Sequence, residues 1–494
     1  MSNKSLKIAI IDDGISLDLF DCKSLKSVII NDDLSINSYN VYNRISHGTI
    51  CANIIYKYYP NLDFYSIKVL SDNMKGKSDK LYRALDYCIE QKISIVHLSI
   101  GSCVASDFID MQKKINETAL KGLIIISAAH NENINSYPSC LSNVIGVKRD
   151  LHNELCELEF KFNSDLSKGI EFTSFAKHKI HIKEAEKICS NSNSYAAPMI
   201  SALACDIYNK YESSLNVEQL KYKLLKKSVN YNNNYNFKYA YPDWIYKALV
   251  INASNKISFF RSIPASPWFN IVGSISDTNI EFDFIKYLKF DFDTVIVYNF
   301  DNNYLDYDYI FNICLNYKKN IVFLDSSPYF NLNTKLDSQL KIWHPSYSCM
   351  CIDTLGDLKT NFEELIIKIF FNEIWEITNL ITLFHQSGYT VYCASDSPKG
   401  ILYGLDYIPD NDINKVLFYI SSKTQNTYYD IIILFIVNEN TFSKLNADLS
   451  LYITDEQENY NVKVFENTNN PNFLQLKKDT ANCFLYQKII NKFT

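Results

Sequence analysis

Short apolar runs alternate with segments of helical periodicity up to about residue 225. The runs are rich in Ile, Val and Leu and predict strands that are buried on both faces: KIAIID, LDFYSIKVL, ISIVHLSIG, GLIIISAAH and NVIGVK. Between them, LYRALDYCIEQK and MQKKINETALK have the apolar spacing of amphipathic helices. Continuous apolar strands joined by helices predict a parallel sheet with helices on both faces.

The alternation is interrupted by YNNNYNFKYAYPD, a polar, Asn-rich segment with one Pro, which predicts a linker over 229–242. It then resumes, with strands predicted at YKALVINA, FNIVGSIS, DTVIVYNF, NIVFLD, LIIKIFF, YTVYCAS and DIIILFIV, and helices at YDYIFNICLNYKK and EIWEITNLITLFHQSG. A chain of 494 residues is too long for one hydrophobic core. We therefore expect an α/β domain over 1–228 and a second, Rossmann-like α/β domain, doubly wound, over 243–494.

Charge and cysteine content narrow the possible partners and the compartment. The chain has 55 acidic and 49 basic residues and a net charge of −6, which argues against nucleic acid or an anionic membrane as a partner. No secretion signal precedes KIAIIDDG, and no apolar run has the length of a membrane span. The thirteen Cys follow no disulfide framework. These features predict a cytoplasmic protein with reduced thiols.

Polar residues with reactive side chains lie at three points where predicted strands end or helices begin. Asp12 and Asp13 end the first strand, His47 precedes a Gly-Thr turn, and Ser194 stands before Tyr-Ala-Ala-Pro. Each has an ordinary structural alternative: a turn for the Asp pair, a satisfied cap for the His and a helix N-cap for the Ser. Together they supply a carboxylate to orient an imidazole, and an imidazole to remove the proton of a hydroxyl.

The motifs IAIIDDG, HGTICA and SNSYAAP, with SIKVL, IVHLSIGS, IIISAAHNEN and YPS between them in order, resemble the subtilisin-like serine peptidases. The order Asp, His, Ser is that of subtilisin. The resemblance implies a subtilisin-like parallel sheet and a catalytic triad of Asp12, His47 and Ser194. Asp13 stands where the family usually has Ser or Thr. By the same resemblance, Asn131 is the side-chain donor of the oxyanion hole, working with the backbone N–H of Ser194.

The resemblance also implies a strand edge on which the backbone of a peptide substrate pairs. The residues of this edge are Leu98, Ser99, Ile100, Gly101 and Ser102. His130 replaces the usual Gly before the oxyanion Asn, at the wall of the primary specificity pocket, unless its side chain faces solvent. A pocket narrowed by His130 predicts cleavage after small or acidic residues. Ser192 and Asn193 replace the usual Gly-Thr before the nucleophile, so a catalytically silent peptide-binding scaffold remains an alternative.

We expect no cofactor and no metal ion in the site, since no Asp-rich loop of calcium type stands out, although a structural calcium ion is possible. Secreted relatives usually carry a pro-segment, for which the position of the Asp motif leaves no room. In the second domain SDSPKGILYG is either a phosphate cradle or, on its Pro-Lys-Gly chemistry, a surface turn. The motifs of classical nucleotide-binding loops are missing from its sequence.

The segments KALVINASNKISFFRSIP, FNIVGSIS and GYTVYCASDSPKGILYG resemble α/β proteins of bacterial peptide natural-product maturation systems. This resemblance implies that residues 243–494 recognise a partner or substrate. The sequence thus predicts an intracellular serine endopeptidase that removes the leader of a ribosomally made precursor peptide. A general cytoplasmic serine peptidase and the silent scaffold are the alternatives.

Overall fold

The computed structural model describes residues 5–492 apart from 72, 133, 165–168, 184, 212–214, 233–236, 238, 253–267, 277–279, 299–305, 325–339, 354–361, 363, 372–378, 410–411, 425–428 and 467–470. The chain divides into two compact units. The first comprises Met1–Cys103, Asp107–Phe237 and Asn331–Lys341, and the second Val104–Ser106, Lys238–Phe330 and Ile342–Thr494. The main boundary, between 237 and 238, falls inside the linker predicted at 229–242.

The first unit is built on one large sheet. Its strands are β1 Leu6–Asp12, β2 Leu25–Ile30, β3 Ile36–Ser38, β4 Leu62–Lys68, β5 Ile95–Leu98, β6 Ile124–Ala128, β7 Val144–Arg149, β8 Phe160–Phe162, β9 Phe172–Ser174, β10 Lys179–Ile182 and β11 Ala185–Ile188. Its helices are α1 His47–Tyr58, α2 Ser78–Glu90, α3 Phe108–Leu120, α4 Asn193–Lys210 and α5 Val217–Leu225. Nine strands form the sheet in the order β3-β2-β4-β1-β5-β6-β7-β9-β8, and β10 and β11 form a separate hairpin.

All neighbouring strands from β2 to β9 in this order are parallel, and only the pairs at the two ends, β2 with β3 and β8 with β9, are antiparallel. Successive side chains of the central strand β1 alternate between two cores. Ile8 and Ile10 pack with α1 and α4, whereas Ala9 and Ile11 pack with α2 and α3. Burial on both faces explains the continuous apolar runs and confirms the predicted parallel sheet flanked by helices.

The second unit contains two sheets. Its strands are β12 Lys247–Asn252, β13 Asn270–Ser276, β14 Thr294–Tyr298, β15 Asn320–Phe323, β16 Ile342–Trp343, β17 Leu365–Phe370, β18 Val391–Ser395, β19 Asp406–Tyr407, β20 Ile431–Ile436, β21 Leu449–Glu456, β22 Asn459–Phe465 and β23 Asn472–Lys477. Its helices are α6 Ile280–Tyr287, α7 Tyr307–Asn316, α8 Pro345–Asp353, α9 Asn379–Gln386, α10 Ile413–Thr424, α11 Glu439–Lys444 and α12 Ala481–Ile490. The five-stranded sheet has the order β13-β12-β14-β15-β16, and the seven-stranded sheet has the order β19-β18-β20-β17-β21-β22-β23.

The smaller of these sheets is parallel throughout. β13 lies on one side of β12, and β14, β15 and β16 follow on the other side, as in doubly wound folds. The prediction of an α/β second domain is confirmed, and each strand run predicted there contains an observed strand. Two features differ from the expectation of a single doubly wound sheet. The strands divide between two sheets, and β21, β22 and β23 add an antiparallel end to the larger one. The first part of the predicted helix EIWEITNLITLFHQSG lies outside the described residues.

The segment SDSPKGILYG follows β18 and contains a 3-10 helix, Pro398–Tyr403. Asp396 accepts hydrogen bonds from the backbone N–H groups of Val437 and Asn438, at 2.8 and 3.0 Å. The N–H groups of Gly400 and Gly404 bond to carbonyl groups inside the segment itself. Because these N–H groups are already bonded, they are not free to hold a phosphate. The surface-turn alternative is also wrong, since Pro398–Tyr403 form a 3-10 helix whose last four residues are buried. None of the helices among the described residues has both the length and the apolar composition to cross a bilayer.

Candidate active site

Asp12 and His47 meet at the carboxyl edge of the large sheet. Asp12 is the last residue of β1 and is fully buried, and His47 is the first residue of α1. The distance from His47 Nδ1 to Asp12 Oδ2 is 2.7 Å. An ionised carboxylate only accepts hydrogen bonds, so Nδ1 carries the hydrogen and Nε2 is left as the basic nitrogen. The His47 side chain is 20% exposed, which leaves it within reach of a bound molecule.

The surroundings of His47 act on its basicity in opposite directions. Burial lowers the pKa of the imidazole, whereas Cys51 and the Asp12 carboxylate raise it, and the net shift is upward. The imidazolium that forms when His47 takes up a proton is therefore stabilised within this site.

Asp13 fills a different role from Asp12. Its two carboxylate oxygens accept hydrogen bonds from the first two N–H groups of α1, those of His47 at 3.2 Å and Gly48 at 2.9 Å. Burial and the neighbouring Asp12 raise the pKa of Asp13. Gly48 is required here, because a Cβ at this position would lie 2.7 Å from the carbonyl oxygen of Gly14. Asp13 therefore fixes the start of the helix that presents His47.

Ser194 lies in the first turn of α4, immediately before Tyr195. The N-cap is Ser192, whose side chain makes no capping bond, so Ser194 is not the cap that its position in the sequence allowed. The rings of Tyr195 and His47 stack, with centroids 5.4 Å apart and planes at 25°. Among the described residues, Ser194 Oγ makes no hydrogen bond to His47. Such bonds are often long in unliganded sites and tighten when substrate binds.

Asn131 and the backbone of Ser194 provide two donors at the start of α4. Asn131 Oδ1 accepts a hydrogen bond from the N–H of Asn193 at 2.9 Å, which identifies the Asn131 oxygen and leaves its Nδ2 group as an available donor. The N–H of Ser194, in the first turn of α4, has no acceptor among the described residues. Two such donors at a helix N-terminus suit a negatively charged oxygen.

The side chain of Asn193 ties the loop of Asn131 to the start of α4. Its Nδ2 donates to the carbonyl groups of Ala129 at 3.0 Å and His130 at 2.8 Å, and its Oδ1 accepts from the N–H of Arg149 at 2.8 Å. The hydroxyl of a Thr at this position would have a single proton to donate, whereas the amide donates twice and accepts once. The departure from Gly-Thr therefore comes with an additional set of hydrogen bonds.

The predicted substrate edge is shorter than expected. Leu98 is fully buried inside β5 and pairs with both β1 and β6, so it is not an edge residue. Ser102 exchanges two backbone hydrogen bonds of 2.8 Å with Tyr137 and is also engaged. Between them, Ile100 and Gly101 make no backbone hydrogen bonds among the described residues, and Ser99 is used through its side chain. Its backbone likewise has no partner among the described residues, so the open part of the edge is Ser99 to Gly101.

His130 is held to its own loop by both backbone and side chain. Its N–H donates to Ser136 Oγ at 3.1 Å, and its Nδ1 accepts from the N–H of Glu132 at 3.2 Å. Since Nδ1 is an acceptor, the hydrogen of the neutral ring is on Nε2. The half-buried imidazole thus retains one N–H donor.

Several residues near Ser194 were not singled out from the sequence. Cys51, one helical turn after His47, has its Sγ 3.9 Å from His47 Nδ1, and this i, i+4 spacing was visible in HGTICA. Ligand atoms of Asp12, His47 and Cys51 lie within 4.8 Å of one another, close enough for a metal ion to bridge, although the first two already satisfy each other. His178 Nε2 donates to the carbonyl of Tyr195 at 2.8 Å, a contact without a sequence signal.

Comparison with known proteins identifies the N-terminal part of the chain. Residues 3–154 match the model of the subtilase family, so the chain carries a subtilase domain at its N-terminus. The major intracellular serine protease of Bacillus subtilis (strain 168) is 25% identical over 166 residues, which cover 30% of this chain and 51% of that protein. The intracellular serine protease of Paenibacillus polymyxa is 27% identical over 162 residues, covering 29% and 49%. The chain spans about half the length of these relatives.

Two solved structures of proteases are also similar to this chain. A lanthipeptide protease is 20% identical with a TM-score of 0.36, covering 46% of this chain and 81% of its own. The prenylagaramide maturation protease is 17% identical with a TM-score of 0.36, covering 47% and 86%.

Proposed function

We propose that the protein is a serine endopeptidase with Ser194 as nucleophile, His47 as general base and Asp12 as the group that orients His47. The observation that carries the proposal is the 2.7 Å hydrogen bond between His47 Nδ1 and the buried Asp12 carboxylate. It lies at the start of α1, where the His47 ring stacks on Tyr195, the residue that follows Ser194 in α4. The chain also carries a subtilase domain. A fluorophosphonate, which phosphonylates activated serines, is expected to label the protein stoichiometrically.

The residues present account for each step of peptide hydrolysis. His47 Nε2 takes the proton of Ser194 Oγ as this oxygen attacks the scissile carbonyl carbon, and Asp12 stabilises the imidazolium. The carbonyl oxygen becomes an oxyanion that accepts hydrogen bonds from Asn131 Nδ2 and the Ser194 N–H. His47 then protonates the leaving amine. A water molecule, deprotonated by His47, hydrolyses the acyl-enzyme and restores Ser194.

The proposed substrate is an extended peptide, specifically a ribosomally made precursor peptide from which the leader is removed. An extended peptide is supported by the unpaired backbone groups of Ile100 and Gly101, on which a strand can add. The precursor is supported by the resemblance of residues 243–494 to peptide maturation proteins, and this domain would bind the precursor or a protein partner. Hydrolysis of casein at a comparable rate would favour a general peptidase. Tight peptide binding without labelling would favour a silent scaffold.

We place this activity in the cytoplasm. All thirteen cysteines are free thiols in the structure, as expected in a reducing compartment. Two relatives are named as intracellular proteases. A coding sequence for a small peptide beside that of this protein would identify the precursor to test.

Replacing Asn131 by Ala is expected to lower kcat by about 10²- to 10³-fold with little change in KM, the effect of losing one oxyanion-hole donor. The amide acts on the oxyanion, which exists only after attack. Asn131→Asp is the matched variant. It keeps an oxygen that accepts from the Asn193 N–H, but places a second oxygen where the donor was. Asp should therefore be at least as damaging as Ala, and turnover unchanged in either variant would remove Asn131 from the site.

His130 is expected to restrict the side chain accepted before the scissile bond to small or acidic ones. The imidazole occupies space where the family has Gly, and its Nε2–H can donate to a carboxylate. Cleavage of a mixed peptide library should show this preference, and His130→Gly should extend it to larger side chains. A parent enzyme that prefers Phe, Tyr or Leu at this position would contradict the pocket argument.

A further inference from the structure

The carbonyl group of Ser194 lacks its normal helical partner. In an α-helix this carbonyl would accept a hydrogen bond from the N–H four residues later, which here is Pro198. Proline has no N–H, so the bond is missing in the turn that carries the proposed nucleophile. A partly buried carbonyl without a donor costs free energy, and the turn would be free to tilt.

Two side chains outside α4 supply the missing donors. Ser99 Oγ donates to the Ser194 carbonyl at 3.3 Å, and Cys51 Sγ approaches the same oxygen at 3.7 Å. Ser99 follows β5, so this bond joins the first turn of α4 to the central sheet. The hydroxyl of Ser99 has a single proton. If it donates this proton to the Ser194 carbonyl, the other polar group in contact with Ser99 Oγ must donate a hydrogen bond to it.

That group is His97, which is fully buried in β5. His97 Nε2 lies 2.9 Å from Ser99 Oγ, and Nδ1 lies 2.9 Å from Ser201 Oγ, two turns further along α4. Burial lowers the pKa of His97 to about 3, so the ring is neutral and carries a single hydrogen. Ser201 Oγ also lies 3.2 Å from the carbonyl of Ala197, but that carbonyl has a helical donor in the N–H of Ser201, whereas the carbonyl of Ser194 has none. We therefore assign the hydrogen to Nε2, so that His97 donates to Ser99, Ser99 donates to Ser194, and Ser201 donates to Nδ1.

We propose that His97 is a positioning residue for the nucleophile, which acts by holding the Ser99 hydroxyl as a donor to the Ser194 carbonyl. The proposal deepens the proposed function and rests on it for its catalytic consequence, but the ordering of the first turn of α4 can be measured without catalysis. The effect on catalysis follows because a small displacement of the nucleophile slows attack without changing how the peptide binds.

His97→Leu tests the proposal, because it removes both hydrogen bonds while keeping an apolar side chain of similar size in the core. We expect kcat to fall about 10- to 100-fold with KM unchanged. We also expect faster hydrogen exchange at the amides of Tyr195 and Ala196, which bond to Ser192 in the first turn. His97→Gln retains an N–H donor and should recover most of both losses. In the Ser99→Ala background, His97→Leu should cause no further loss.

Thr118→Val is the control for lost stability alone. It removes a buried hydroxyl that bonds within α3, to the carbonyl of Ile115, and should lower the melting temperature without changing kcat. Parent-like kcat and exchange in His97→Leu would overturn the proposal. The proposal would also be overturned if His97→Leu lowered kcat further in the Ser99→Ala background, or if His97→Gln recovered neither kcat nor the exchange rates. A parent protein that neither hydrolyses peptides nor reacts with a fluorophosphonate would refute the proposed function, while the exchange measurement would still decide the positioning.

Discussion

Ser194→Ala is expected to abolish peptide hydrolysis, with a loss in kcat of about 10⁶-fold, the size seen when the nucleophile of such a triad is removed. The methyl group of Ala cannot attack the carbonyl, and His47 then has no proton to remove. The fold should be intact, because Ser194 Oγ makes no hydrogen bond among the described residues. Labelling by a fluorophosphonate should be stoichiometric in the parent and undetectable in the variant.

Ser192→Ala is the matched control. Ser192 is the N-cap of the same helix, two residues before Ser194, and its side chain makes no capping bond. It should therefore label and hydrolyse as the parent does. Equal labelling of the parent and Ser194→Ala would show that another residue is the reactive serine.

Asp12→Asn is expected to lower kcat by about 10⁴-fold with the fold intact, as found when the orienting carboxylate of a triad becomes an amide. The amide of Asn can donate to His47 Nδ1, which favours the tautomer with its hydrogen on Nε2. That tautomer cannot accept the proton of Ser194. Raising the pH should not restore activity, because the defect lies in the tautomer and not in the charge of His47.

Asp13→Asn distinguishes the role of Asp13 from that of the neighbouring Asp12. Asp13 accepts from the backbone N–H groups of His47 and Gly48, and Asn keeps one of its two acceptor oxygens. The expected cost is about 1 kcal/mol of stability, as for a weakened helix cap, with kcat within tenfold of the parent. A larger loss of kcat in Asp13→Asn than in Asp12→Asn would reverse the assignment of the orienting carboxylate.

Much of the fold could be predicted because each parallel strand is a continuous apolar run. The end of such a run marks the carboxyl edge of the sheet, which is why Asp12 could be singled out from the sequence. The division of the second unit into two sheets could not be predicted, because strand pairing between distant segments leaves no local pattern. The antiparallel strands β22 and β23 carry polar residues on an open face and lack the apolar continuity that identified the other strands.

The candidate site could be predicted where short motifs in a fixed order carry the signal, as they do for Asp12, His47 and Ser194. In the sequence, His97 is one polar residue in the apolar run IVHLSI. Its proposed role depends on a contact with Ser201, which is 104 residues away in sequence. Leu98 and Ser102 were placed on the substrate edge by analogy. The sequence does not show that β6 covers Leu98 or that Tyr137 pairs with Ser102. In each of these cases the environment of the residue is set by a contact with a residue that is distant in sequence.

The three hydrogen bonds of the Asn193 side chain limit how the loops of this protein can be exchanged. An Asp at this position would set a carboxylate against two carbonyl oxygens, and a Leu would leave those carbonyls and the Arg149 N–H without partners. If residues 129–131 were replaced by a loop from a secreted relative, the carbonyl groups of the new loop would have to lie where the Asn193 amide can donate to them. A loop exchange that aims to change specificity will therefore have to replace residues 129–131 and 191–194 together.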